Sequence, residues 1–332
     1  MEPIHPLSLP EIVLLIGKAI PLWIPEDPLF GETAWMLRPK DLVAAISVNR
    51  LFRSVLTPLL WTVYYEPNEN MRVLANIRGY QEYRGLYTQI DIDTVEENSV
   101  FFRYLDVSAN IPISGQRRAG MLQLECQHLQ ELRVSSSVGF EWVSRLIKLN
   151  PNLQVLDWPR KPNHRTVNML ELKSLFSLRR LRRLGLQGWN LQSLFLCHIL
   201  KNNADCLEEI NLGTDARFID EPRMNDDWSG LRDSSVAKMT KSQVDKAAKL
   251  TQGQRLLLPK VRTLHVNCNP YEINNHIYSL VRALPALETL VVEGVDRDTM
   301  GLSQSLQKHC PRLRAIKHAG LYRESRGFRF LD

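Results

Sequence analysis

Five cysteines and eight histidines are the residues of this 332-residue chain best suited to nucleophilic or metal chemistry. Cys126, Cys197, Cys206, Cys268 and Cys310 lie far apart, with no CxxC pair and an odd total, which suits neither a zinc site nor a disulfide framework. Cys126 and Cys310 each stand three residues before a leucine, in Cys126-Gln-His-Leu129 and Cys310-Pro-Arg-Leu313. Both read as small buried hydrophobes at a helix end. The histidines are scattered, and lone ones such as His198 read as helix residues. The chain holds no GxGxxG, Walker loop, HExxH or GxSxG. No enzyme, metal or cofactor is expected.

Arg179-Arg180-Leu181-Arg182-Arg183 could in principle grip phosphate. It spans a helix end and a strand, however, so its charges should point several ways. The balance of 42 Lys+Arg against 36 Asp+Glu gives only +6, a weak signal for a nucleic-acid or membrane partner, and neither is expected. Hydrophobic content of 44% and charged content of 23% are ordinary for a globular protein. The apolar run Ile12–Ile20, broken by Gly17 and Lys18, falls short of the roughly 20 residues that span a bilayer. The N-terminus lacks the basic and apolar regions of a signal peptide. A soluble protein of the cytoplasm and/or nucleus is expected.

The elements that would position these residues come from a repeat. The pattern Φ-x-x-Φ-x-Φ, with Φ apolar, appears as Phe102-Leu105-Val107, Leu129-Leu132-Val134, Leu153-Leu156-Trp158, Leu181-Leu184-Leu186 and Leu207-Ile210-Leu212. It returns as Val261-Leu264-Val266, Leu287-Leu290-Val292 and, imperfectly, Leu313-Ile316-His318. Its central residues are spaced by 27, 24, 28, 26, 54, 26 and 26, so a period near 26 runs from 105 to 316. Proline two residues upstream, in Pro151, Pro259, Pro285 and Pro311, suits entry to a strand. Helical spacing precedes several strands, as in Trp142-Val143-Leu146-Ile147 and Leu196-Ile199-Leu200. Each unit therefore reads as helix, short turn, strand. The 54-residue interval reads as one missing or degraded repeat, with a polar insertion at 214–256 bulging out as a long loop.

This organisation resembles the leucine-rich repeat family in its longer α/β form. The resemblance implies an α/β solenoid over residues 101–332, with a parallel sheet on a concave side and helices outside. The family's asparagine, three residues beyond the last strand apolar position, is met by Asn269, but Trp189, Ser137 and Val295 hold the equivalent places. The backbone ladder that asparagine builds is therefore in question. Side-chain alternation sends the third, fifth and seventh strand positions to the concave face. They include Glu131, Arg133, Asp157, Arg183, Glu209, Asn211, Thr263, His265, Asn267, Thr289, Glu293 and Lys317, read as target-binding candidates, most of them solvated. Strands about 4.8 Å apart would lay eight of them over roughly 34 Å.

Residues 1–65 do not follow the repeat, and 66–100 read as a linker or irregular first repeat. Leu9-Pro10-Glu11-Ile12, Asp41-Leu42, Val48-Asn49-Arg50-Leu51-Phe52 and Pro58-Leu59-Leu60-Trp61 resemble an F-box, a bundle of three short helices that docks on a Skp-family adaptor. The 31 residues from Pro10 to Asp41 are about twice the family's usual spacing, as in fungal proteins of this kind; the extra stretch should form an ordered loop or flap. The resemblance implies the substrate-recognition subunit of a Skp–cullin–F-box ubiquitin ligase, monomeric outside the complex and without chemistry of its own. Leu9, Pro10, Ile12, Leu42, Val48, Phe52 and Trp61 match its docking or helix-packing positions, and Trp61 also reads as packing against the first repeat. The alternative is a repeat scaffold whose F-box-like module binds no adaptor.

Overall fold

The computed structural model describes residues 6–25, 35–37, 40–65, 92–107, 124–136, 138–160, 169–189, 193–212, 256–267, 280–293 and 300–319. They fall into two compact units divided between His128 and Leu129.

The first unit opens with α1, Pro10–Ala19, whose proline fills the first turn, where a missing N–H costs nothing. Strands β1, Trp23–Pro25, and β2, Trp35–Leu37, pair antiparallel, so part of the extra material between the first two helices is ordered. Helix α2 is Lys40–Ile46, with Asp41 favourably placed against its dipole. Helix α3, Arg50–Leu60, is capped by Asn49, whose Oδ1 accepts from the Phe52 amide at 2.9 Å. Val13, Leu42, Phe52 and Leu56 form the buried centre of these three helices, with Ile46, Leu51, Val55 and Leu59 packed around it. Beyond α3 come β3, Val63–Tyr65, α4, Ile92–Asn98, a 3₁₀ turn at Ser99–Phe101, and β4, Tyr104–Val107. Strands β3 and β4 run parallel, Tyr64 opposite Leu105. Parallel pairing thus begins inside the segment read from sequence as the helical module. Phe102 holds it there by stacking on Trp61 and Tyr64, at centroid separations of 6.1 and 5.5 Å.

The second unit alternates strands and helices: β5, Glu131–Val134; α5, Phe140–Leu149; β6, Val155–Asp157; α6, Met169–Ser177; β7, Arg183–Leu186; α7, Ser193–Asn202; and β8, Glu209–Leu212. Then follow β9, Thr263–Asn267; β10, Thr289–Glu293; α8, Met300–His309; and β11, Ala315–Ala319. The seven strands lie side by side in chain order, all parallel. The repeat's apolar positions are the core: Leu132, Val134, Leu156, Trp158, Leu184, Leu186, Ile210, Leu212, Leu264, Val266, Leu290 and Val292 are all buried. Stacked parallel strands with helices between them make an α/β fold of solenoid type.

Strand β8 pairs directly with β9, Ile210 opposite Leu264, so the 54-residue interval places no strand of its own between them, which agrees with a missing or degraded repeat. Most of the insertion, with Ser242–Leu250 and Asn269, lies outside the described residues.

The backbone ladder also exists, built from a different position. Asn150, at the end of α5, accepts from the Leu129 amide at 2.7 Å and donates to the Leu146 carbonyl at 2.8 Å. Asn203, just beyond α7, accepts from the Leu181 amide at 2.9 Å and donates to the carbonyls of Leu178 and Ile199 at 3.2 and 2.9 Å. Each asparagine reaches back one repeat and satisfies the amide entering the preceding strand, a buried donor that no ladder bond serves. Cys310 occupies the corresponding place, its Sγ 3.6 and 3.5 Å from the carbonyls of Val281 and Leu284 in the preceding repeat. Cys126 and Cys310 are both buried, as their spacing suggested. Asn203→Ala is expected to cost about 2 kcal/mol of unfolding free energy, because buried backbone groups lose their partner. Urea unfolding followed by circular dichroism measures it; a loss below about 0.5 kcal/mol would contradict this role for the side chain.

Candidate protein-interaction surfaces

Strand register places the odd-position residues of the second unit in rows across one face of its sheet. Arg133 lies opposite Asp157, Arg183 opposite Glu209, and Asn211 opposite His265. Their charges alternate along the face. Glu131 and Arg133 approach to 3.5 Å, Arg183 lies 4.0 Å from Asp157 and 3.5 Å from Glu209, and Glu209 is 3.6 Å from His265 Nε2. Gln187 donates to Asn211 Oδ1 at 3.0 Å beside this line. Gly185 belongs to it too: a Cβ there would run into the Asp157 carboxylate, so glycine leaves that carboxylate room on the sheet.

The expectation of a mostly solvated face is thereby corrected for one half of it. Glu131, Arg133 and Asp157 are 3% exposed and Asn211 4%, whereas Arg183, Glu209, Thr263, His265 and Thr289 are partly exposed. Charge is withdrawn from water here because Glu131, Arg133 and Asp157 each have an opposite charge within about 4 Å, a condition that makes burial tolerable. Asn267, Glu293 and Lys317 take their places in β9, β10 and β11, but their side chains lie outside what is described. Residues a partner could reach on this face therefore run from Arg183 toward Thr289.

The arginine cluster disperses as its spacing implied. Arg179 donates to the carbonyls of Phe176 and Leu178, Arg182 grips Glu208 with two hydrogen bonds at 3.1 and 3.2 Å, and Arg183 faces Asp157 and Glu209. Arg179, Arg182 and Arg183 thus turn to different partners, two of them to carboxylates.

Near this sheet lies a cluster that sequence spacing did not reveal. Trp189 meets Trp158 edge-on at 4.8 Å and donates its indole N–H to the Trp158 carbonyl. The Arg160 guanidinium sits 4.3 Å from the centre of the Trp189 ring and pairs with the buried Glu171. Gly188 has φ of 71°, and a Cβ there would strike the Arg160 carbonyl. This is packing that fixes the chain beyond β6 and β7.

The seven positions expected to dock or pack in the first unit divide by burial. Leu42 is 1% exposed, and Phe52 and Trp61 are buried with it, the first two in the three-helix core and Trp61 against Phe102. These three hold the unit together. Leu9 is 39% exposed and Val48 64%; Pro10 is exposed and Ile12 half-buried. Leu7 and Leu15 add further exposed apolar surface that the motif reading did not single out.

Two titratable groups among the described residues are shifted from their ordinary values. Burial pushes the Cys310 thiol up to about 11, so it stays protonated at neutral pH. His198 is lowered from the ordinary imidazole value, chiefly by burial and then by the charges of Arg179 and Lys201, and packs edge-on against Phe176 at 4.7 Å. Among the described residues, no group of three or more His, Cys, Asp or Glu could hold a metal ion, and no helix is long and apolar enough to cross a membrane.

No family model matches the sequence, and no curated protein matches it. Among solved structures, the chain is similar to the leucine-rich repeat-containing protein LegL7 from Legionella pneumophila, at 12% identity over 68% of this chain and 69% of that one, with a TM-score of 0.34. The likeness is too slight to carry function, so the repeat reading rests on register, burial and the asparagine bonds.

Sequence reasoning overlooked Asn150, Asn203 and the pair Arg160–Glu171. Asn150 was findable: it precedes Leu153 by three residues, the offset already noted for Cys126 and Cys310. Arg160 and Glu171 sit eleven residues apart with no periodic relation, and only the fold brings them together.

Proposed function

We propose that this chain is the substrate-recognition subunit of a Skp–cullin–F-box type ubiquitin ligase. In this reading the first unit docks a Skp-family adaptor, and through it the cullin complex, while the repeats bind a target protein. The chain itself carries out no chemistry. The observation that supports it most is a three-helix cluster around Val13, Leu42, Phe52 and Leu56 that keeps Leu9 and Val48 outside, in a chain whose later strands form a parallel repeat sheet. Apolar side chains held in water by a folded scaffold cost free energy that a partner can recover. Paired charges on the sheet suit a protein target better than a polyanion, because Arg183 already has its carboxylates.

Co-expression with a Skp-family adaptor tests the reading. The tagged chain should capture the adaptor, and Leu9→Asp with Val48→Asp should abolish capture. Aspartate is a favourable residue at the position Leu9 holds before α1, so the helix should survive the change. If the double variant captures as much adaptor as the parent, docking does not use these residues. A chain that captures none leaves the alternative, a repeat scaffold acting without an adaptor.

A further inference from the structure

Helix α3 carries an unusual charge arrangement for its position. Arg50 and Arg53 stand in its first turn and at the start of its second, and none of its eleven residues is acidic. Cations at a helix N-terminus are disfavoured by the dipole, where acids are the normal choice. Both arginines are exposed, and neither forms an ion pair among the described residues. Their charge is uncompensated, in contrast to the arginines of the repeat sheet.

An open groove runs beside them, lined by Arg50, Arg53, Ser54, Thr57, Pro58 and Phe101. Its far wall is held by the chain: Phe102 stacks on Trp61, and the amides of Arg103 and Tyr104 donate to the Thr62 carbonyl at 2.8 and 3.1 Å. Phe101 is thereby kept outside, 38% exposed, with Val100 beside it at 46%. The groove's own hydroxyls are committed inward, Ser54 to the Leu51 carbonyl at 2.9 Å and Thr57 to that of Arg53 at 2.6 Å. Pro58, lacking an N–H, returns no hydrogen bond to the Ser54 carbonyl one turn earlier. The groove therefore offers two cations beside an aromatic ring and a proline.

We infer that this groove docks an acidic segment of a second protein, one that sets an apolar side chain against Phe101 and Pro58 and carboxylates against Arg50 and Arg53. The inference stands apart from adaptor docking, since none of the six lining residues is among those assigned to the adaptor. Carboxylates supply what the arginines lack, and bidentate pairing with guanidinium gives the contact direction. The aromatic ring and the proline distinguish this partner from a plain polyanion.

Fluorescence anisotropy with the full chain tests it, using labelled hexapeptides of alternating glutamate and phenylalanine, lysine and phenylalanine, or glutamate and serine, and a single-stranded oligothymidine. The glutamate–phenylalanine peptide should bind, and bind at least about tenfold more weakly when Arg50→Glu and Arg53→Glu are introduced together. Phe101→Ser should weaken it severalfold, and the lysine peptide should not bind. Circular dichroism should be unchanged in both variants, because every altered side chain is exposed. Glutamate–phenylalanine binding that ignores both variants would overturn the inference. So would oligothymidine or glutamate–serine binding of equal strength, which would make the groove a polyanion site. Loss of adaptor capture in the arginine variant would overturn its separateness from the adaptor surface.

Discussion

Arg160→Ala is expected to lower the unfolding free energy by about 3 kcal/mol, the largest single loss this fold should show outside its apolar core. Glu171 is 1% exposed, and Arg160 pairs with it. Deleting the guanidinium takes the opposite charge away from a buried carboxylate, and the cost comes mostly from that desolvated charge. The same deletion removes the cation from the face of Trp189. Urea unfolding followed by tryptophan fluorescence should show a lower midpoint with an unchanged slope. Replacing both residues, Arg160→Met with Glu171→Leu, should recover most of the loss, because no lone charge is then left buried. A single variant within about 1 kcal/mol of the parent, or a double variant no better than the single, would contradict this assignment.

Leu56→Ala should act as strongly on the first unit, at about 3 kcal/mol, by opening a cavity beside Val13, Leu42 and Phe52. The cluster is small, and a leucine at its centre has few neighbours able to collapse inward. A functional consequence follows. The exposed Leu9 and Val48 keep their places only while α1, α2 and α3 stay packed, so adaptor capture should fall even though Leu56 itself is buried. Leu56→Met, nearly equal in volume, should keep both stability and capture. Capture that survives Leu56→Ala undiminished would separate docking from the packed cluster.

The repeat was legible because burial recurs. A strand every 26 residues needs its apolar fourth and sixth positions each time, and Leu132 to Val292 meet that need in every described repeat strand up to β10. The last, β11, holds Ile316 at 45% exposure, which agrees with the imperfect pattern seen there. Long-range choices left no such mark. Direct pairing of β8 with β9 depends on where a chain of 50 residues returns, and spacing alone could not separate an inserted loop from a lost repeat. Alternation correctly sent Glu131, Arg133 and Asp157 to one face, but not to a buried one, since that depends on mutual pairing across strands. In the first unit the motif grouped Leu42 and Phe52 with Leu9 and Val48, although packing puts the first pair inside and the second outside. A short motif records both helix packing and docking in one string and does not say which residue serves which.

Adaptor docking by the first unit is the central claim, and mixing the purified full chain with a purified Skp-family adaptor tests it most directly. Size-exclusion chromatography with light scattering should show a single one-to-one complex, and the Leu9→Asp, Val48→Asp chain, folded by circular dichroism, should elute apart from the adaptor. Two separate peaks from the unaltered, folded chain would contradict the claim.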